Sequence, residues 1–286
     1  MTQPPTHPVP TLPVPTIDHV VVNVRDRLDQ GAQAYRRLGF TLTPRGYHSL
    51  GSMNHLAIFG TDYLELIAAR PGDGGRPEIM AAPAGLNGLV FASEDAAATH
   101  AALVAAGIAA SPPMQFTRPV ALPGGDQDAT FRTVHLAGRP SGLGRLYFCQ
   151  HLTRDLVWRD DWRHHANGTL GIARAVIAAE DPAALGALFA TLFGAAAVRP
   201  VEGGCSLAAG LSRFDVLTPR TVAAQFGDAA PDGGGRGEYM VALTLRTLSL
   251  DQAASALAGI AGVRHEPGRL VVPAEAAFGT ALEFVA

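Results

Sequence analysis

The sequence predicts an α+β protein made of four βαβββ units in two tandem domains, and three observations carry that prediction. Alternating apolar residues mark strands on both sides of short helical segments. Landmarks recur at one constant offset: His19 with Arg174, Asp26 with Asp181, Gly39 with Gly194, and Gly107 with Gly262. Such internal repetition argues for duplication. A chain of 286 residues is also long enough for two cores of ordinary size.

Residues 1–15, which begin MTQPPTHPVP, read as an extended proline-rich tail. In IDHVVVNV, Val20, Val22 and Val24 form one face of a strand and leave His19, Val21 and Asn23 on the other. Asp26 is predicted to cap the helix that follows, where Leu28, Tyr35 and Leu38 share a side before Gly39 stops it. A short strand is expected at FTLTP, and longer ones at NHLAIFG and DYLELIAA. In DYLELIAA the apolar phase is Leu64, Leu66 and Ala68, which turns Tyr63, Glu65 and Ile67 to the side of His19. In NHLAIFG, Leu56 and Ile58 are read as the apolar phase, so that His55, Ala57 and Phe59 join His19. The second unit runs from GLVFAS through a helix ending at Gly107 to strands at FRTVHL and RLYFCQH.

Residues 16–155 therefore form the first domain, 156–168 a linker, and 169–286 a second domain, whose helices lie in EDPAALGALFATLFG and SLDQAASALAG. The linker carries Trp158 and Trp162, expected to pack against a domain, and His164 and His165, expected to be solvated.

Composition removes several function classes. A net charge of −3 leaves no basic footprint for nucleic acid or an anionic membrane. All 22 basic residues are arginine, which excludes Schiff-base chemistry and a phosphate-loop lysine. The glycine-rich turns match no phosphate-loop pattern, and no Gly-x-Ser-x-Gly elbow is present. Cys149 and Cys205 are too far apart in the chain to suggest a disulfide framework or a cysteine zinc site. No apolar run reaches a membrane span and the start lacks a signal-peptide pattern, so a cytoplasmic protein is expected.

Tandem βαβββ units, with a histidine in the first strand and a glutamate in the fourth, resemble the vicinal oxygen chelate superfamily. The run from IDHVVVNV through YRRLGFTLTPRGYHSLGSMNHLAIFGTDYLELI looks like its glyoxalase-like domain branch, a likeness of motif that covers roughly residues 16–155. The resemblance implies two glyoxalase/bleomycin-resistance-like domains, each a cup-shaped mixed sheet with helices outside. It also implies a divalent metal, Zn, Ni, Mn or Fe, that chelates neighbouring substrate oxygens as a Lewis acid. The activity implied is a lyase, isomerase or dioxygenase acting on a small oxygenated metabolite; the alternative is a metal-free protein that sequesters a small molecule.

On this reading the metal ligands are His19 and Glu65, with His55 or His151 as the third, and the catalytic residues are Glu65 and His48. Arg45, Asn54, Tyr63, Phe148 and Gln150 are the expected substrate contacts. Departures from the family pattern are explicit, because Gly88 stands where the second unit should supply a ligand and Tyr147 or Phe148 where a glutamate is expected. In the second domain Arg174 replaces the histidine, while Asp215 and Glu283 keep carboxylates, a set suited to ion pairs. The expected partners are a small-molecule substrate and a second copy in a homodimer, with no nucleic acid and no membrane.

Overall fold

The alternation in IDHVVVNV forms strand β1 (Ile17–Arg25), and helix α1 (Leu28–Arg37) follows it. Strands β2 (Gly46–Tyr47), β3 (Ser52–Ile58) and β4 (Tyr63–Ala69) complete the first unit. The second unit holds α2 (Pro77–Ala81), β5 (Gly85–Ala92), α3 (Ala96–Ala105), β6 (Met114–Val120), β7 (Gln127–His135) and β8 (Arg145–His151). The third holds β9 (Thr169–Ala179), α4 (Pro182–Phe193), β10 (Val198–Val201), β11 (Gly204–Ala209) and β12 (Ser212–Leu217). The fourth holds α5 (Pro219–Phe226), β13 (Glu238–Thr247), α6 (Leu250–Ala256), β14 (Arg264–Glu266), β15 (Arg269–Val272) and β16 (Ala281–Val285). The computed structural model describes residues 13–70, 76–137 and 143–286, so most of the proline-rich tail lies outside the described residues.

The duplication is visible in the sheets. One runs β2-β3-β4-β1-β5-β8-β7-β6 and the other β10-β11-β12-β9-β13-β16-β15-β14, the same order in both halves. Registers repeat as well. Glu65 stands opposite Val21 of β1, and Asp215 opposite Val176 of β9. Tyr147 stands opposite Val90 of β5, and Glu283 opposite Thr244 of β13.

Each sheet buries both faces. The helix-side residues of both, among them Val20, Val22, Leu64, Leu66, Ala175, Ile177, Phe214 and Leu243, belong to one continuous core with α1, α3, α4 and α6. Each cup has its own smaller cluster, with Val21, Ile58, Val90 and Phe131 in the first and Val176, Leu217, Phe226 and Val241 in the second. Helices α1, α3, α4 and α6 therefore lie outside the cups, where the two halves meet, whereas α2 packs on the first cup's cluster through Ile79 and α5 on the second's through Val222 and Phe226.

Three local expectations need correction. Asp26 does not cap α1; the chain leaves β1 through Arg25 at φ 59°, held by Asn23 Oδ1, which accepts the Arg25 N–H, and the cap position falls on Arg27. FTLTP forms no strand, and the short strand lies just beyond it as β2. His165 is not solvated. Its Nδ1 accepts the Thr41 N–H at 3.1 Å and its Nε2 donates to the Ile58 carbonyl at 2.8 Å, which ties the connector to the first sheet.

Asp62 makes a second tie, since its Oδ1 accepts the Ile172 N–H across the halves at 2.9 Å. Burial pushes its carboxyl up to about 6, although the Ile172 N–H and the Arg246 guanidinium oppose that rise. The folded value lies above the ordinary 3.8, so folding favours the protonated form and stability is lost as pH climbs from there to about 6. Asp62→Asn keeps the acceptor and removes the charge. It is expected to leave stability unchanged near pH 4 and to raise it by about 1–3 kcal/mol above about pH 7. Thermal unfolding across that range checks this, and an equal gain at both ends would refute the ionisation argument.

Candidate functional site

The first cup gathers its polar residues from four strands because each strand sends every second side chain inward. His19 of β1, Glu65 of β4, Asn54 of β3 and Tyr147 of β8 all line it, with His48 from the loop before β3. His19 Nε2 lies 3.8 Å from Glu65 Oε2 and accepts the Tyr147 O–H at 3.0 Å. The Tyr63 ring stacks on the imidazole, with centroids 4.3 Å apart.

Beneath His19 sits Asp18. The register of β1 against β5 slips between Ile17 and His19, and this irregularity lets neighbouring residues serve the same side. Asp18 Oδ1 accepts from His19 Nδ1 at 2.5 Å and from His151 Nε2 at 3.0 Å. Burial works to raise the Asp18 carboxyl, but His151 and His19 outweigh it and hold the group well below the usual range. With Nδ1–H donated to Asp18, the other nitrogen of His19 presents its lone pair to the cup.

Burial likewise works to raise Glu65, yet His48, His19 and the Asn54 amide hold it low and ionised. Asn54 Nδ2 donates to Glu65 Oε1 at 2.7 Å and to His48 Nε2 at 3.2 Å, while His48 Nδ1 bonds Ser52 Oγ at 2.8 Å. Burial pushes His48 down to about 4, so its ring is neutral near pH 7. Tyr147 is pushed well above the ordinary phenol value by burial and remains a hydrogen-bond donor.

The structure thus brings His19, Glu65, His48, Asn54 and Tyr63 together at the cup, with His151 below. It places four other expected residues elsewhere. His55 lies on the helix side, where its Nδ1 donates to the Thr43 carbonyl at 2.7 Å. The antiparallel pairing explains this: Leu56 stands opposite Glu65 and His55 opposite Leu66, and residues directly opposite share a face. Leu56 and Ile58 are therefore the cup-side residues of β3, the reverse of the sequence expectation. Phe148 packs outside the cup against Phe91 and Phe193. Gln150 serves the start of α3, donating to the Glu94 carbonyl at 2.7 Å and accepting the Ala96 N–H. Arg45 pairs with Asp29 at the surface.

Asp18, Arg118 and Cys149 were absent from the expected site. Arg118 carried a signal, since it stands in phase with Phe116 and Val120 and so puts a charge in an apolar row. Trp158 of the connector closes the side of the site, its ring 4.9 Å from His151 and 5.4 Å from Tyr63.

A divalent ion bound by protein needs about three donors at one point. At the cup, His19 and Glu65 supply two, His55 is on the other face, and a side chain at Gly88 would meet Val21 at 2.9 Å. That pair by itself does not fit a resident metal. Among the described residues, Asp18, Cys149 and His151 do bring three ligand atoms within 4.8 Å of one another. This triad lies largely below the cup floor. Its carboxylate, thiol and imidazole are a donor set that zinc accepts, and His151 Nδ1 is buried with no hydrogen-bond partner among the described residues.

The second cup is closed by ion pairs. Arg174 Nε donates to Asp215 Oδ2 at 2.5 Å, and Arg269 Nη1 donates to Glu283 Oε1 at 2.6 Å. Arg174 Nη2 adds a bond to Gln225 Oε1 at 2.8 Å. The charges satisfy one another there.

The fold has counterparts among solved structures. It is similar to a hypothetical protein from Staphylococcus aureus, with a TM-score of 0.65 at 11% identity over 95% of this chain and 99% of that one. A mutant of 4-hydroxymandelate synthase from Streptomyces coelicolor gives 0.60 at 13% identity over 96% and 93% of the two chains. A xylose isomerase-like TIM barrel/4-hydroxyphenylpyruvate dioxygenase fusion protein gives 0.58 at 16% identity over 98% of this chain and 50% of that one. No curated protein matches the sequence. A family model described as the glyoxalase-like domain matches residues 17–193, which holds the whole first cup, and on that match this chain belongs to the glyoxalase-like domain family.

Proposed function

We propose that the first cup is the active site of an enzyme that moves a proton on a small oxygenated substrate, in lyase or isomerase chemistry. The observation that supports this most is the Asp18–His19 pair, with Nε2 of His19 bonded to the Tyr147 O–H and 3.8 Å from Glu65. In this reading His19 Nε2 takes a proton from a carbon next to a carbonyl. Asp18 fixes the ring's tautomer and stabilises the imidazolium, and Glu65 faces that cation from the open side. Tyr147, whose O–H bonds His19 Nε2 in the free protein, turns that O–H to the oxygen on which charge gathers, which releases the Nε2 lone pair. Returning the proton to another carbon gives an isomerase; loss of a neighbouring group gives a lyase.

The test is deuterium incorporation from D2O into a panel of small aldehydes, ketones and 2-oxo acids, followed by proton NMR. His19→Gln is expected to lower exchange by roughly 100- to 10,000-fold, and Glu65→Gln by a smaller factor, with the far-UV spectrum unchanged. Exchange that survives His19→Gln would remove His19 from the chemistry. Panel compounds that bind without exchanging would instead support a sequestering protein.

A second reading rests on the convergence of Asp18, Cys149 and His151. These residues would hold a divalent ion, which would supply Lewis-acid polarisation of a substrate oxygen. Elemental analysis of untagged protein decides it. Near-stoichiometric metal that is lost in Cys149→Ser supports this reading, and metal-free protein after reconstitution removes it.

A further inference from the structure

Arg118 of β6 lines the first cup and is 2% exposed. Its Nε and Nη2 are buried and have no hydrogen-bond partner among the described residues. Leaving donors of a buried cation unpaired is among the costlier arrangements in a protein interior. The two orphan atoms also form one edge of the guanidinium, the fork that takes both oxygens of a carboxylate in parallel bonds.

The surroundings point the same way. Glu65 is the one carboxylate among the described lining residues, and Asn54 Nδ2 already donates to it at 2.7 Å, with the His19 and His48 rings 3.8 Å away. Thr133 Oγ1, also lining the cup, is buried with no hydrogen-bond partner among the described residues. Gly46 makes the arrangement sterically feasible, because a Cβ there would lie 2.4 Å from both Arg118 Cδ and Asn54 Oδ1. Apolar surface flanks the fork, with Phe116 and Phe131 stacked at 5.2 Å between ring centroids.

We infer that Arg118 is the anchor of a substrate carboxylate, bound side-on through Nε and Nη2, and that the cup takes small carboxylic acids with a flat or apolar body. This names the substrate class of the active site proposed above and rests on that reading. The anchor holds one end of the molecule while the His19 end of the cup meets the reacting carbon.

The experiment is titration of the full chain with benzoate, acetate, benzamide and phenyl phosphate, monitored by calorimetry and by the arginine Nε–H signals in nitrogen-15 NMR. Arg118→Lys identifies the Arg118 signal by its loss. At least one of the two carboxylates is expected to bind and to shift that signal, with benzoate on the order of 10- to 100-fold tighter than benzamide. The preference should vanish in Arg118→Met. In Arg118→Lys, which keeps the charge and loses the fork, it should fall by about 10-fold or more. Equal binding of benzoate and benzamide, a preference that persists in Arg118→Met, phenyl phosphate binding in place of carboxylates, or no binding by either carboxylate would each overturn the assignment. Should Arg118→Met fail to fold, the wild-type comparison and Arg118→Lys still decide. The titration does not read proton transfer: carboxylate preference without deuterium exchange keeps the anchor and removes the enzyme reading, and exchange without the preference does the reverse.

Discussion

Asp18→Ala is expected to lower the unfolding free energy by about 3–5 kcal/mol near pH 7, the usual effect of removing one partner from a buried charged network. Asp18 Oδ1 is the acceptor for both His19 Nδ1 and His151 Nε2, and the group is 2% exposed. The alanine would leave two buried imidazole N–H groups without an acceptor. Asp18→Asn, which keeps an acceptor but not the charge, is expected to cost less. The pH dependence has a definite sign. The folded carboxyl titrates well below its ordinary 3.8, so its contribution is present above that value and is lost as pH falls toward the folded pKa. Urea unfolding should therefore show a gap between wild type and Asp18→Ala at about pH 7 that narrows below about pH 4 as the carboxylate is protonated. A gap under about 1 kcal/mol at pH 7 would show that the network contributes little.

Phe91→Ala should cost about 3–5 kcal/mol, the range for deleting a fully buried aromatic ring. Phe91 sits on the helix side of β5, and its ring meets Phe148 of the same sheet at 5.5 Å between centroids. It also meets Phe193 of α4 at 4.6 Å and Phe214 of β12 at 5.5 Å, both from the second half. Truncation opens a cavity where the two sheets share one core, so both halves should lose stability together. Tryptophan fluorescence reports the connector and first cup, and far-UV circular dichroism reports both sheets. Their urea transitions are expected to coincide in wild type and variant. Two separated transitions would show that the halves unfold independently.

The features read correctly from the sequence were those set by local periodicity. The valine row of β1 and the Leu64, Leu66 and Ala68 row of β4 place His19 and Glu65 on one side without reference to any other strand. The mixed outcome at β3 shows where that logic stops. Both phases of NHLAIFG can be buried, since each face of this sheet covers an apolar cluster, and composition offers no basis for choosing between Leu56 and His55. The choice was made by pairing with β4, which sets Leu56 opposite Glu65.

By itself the sequence determined the duplication, the unit order, the phase of the first and fourth strands and the replacement of the second site by arginine and carboxylates. All of these follow from spacing along one chain. The tertiary structure alone decided that Asp18 holds His19, that Tyr147 completes the floor, that Phe148, Gln150, Arg45 and His55 stand away from the cup, and that Arg118 enters it with Nε and Nη2 unpaired among the described residues. The physical reason is that these relations depend on strand register, a slip in β1 and contacts between residues as distant as His19 and Tyr147. Alternation says which side of a strand a residue takes; only the assembled sheet determines which residues it meets there.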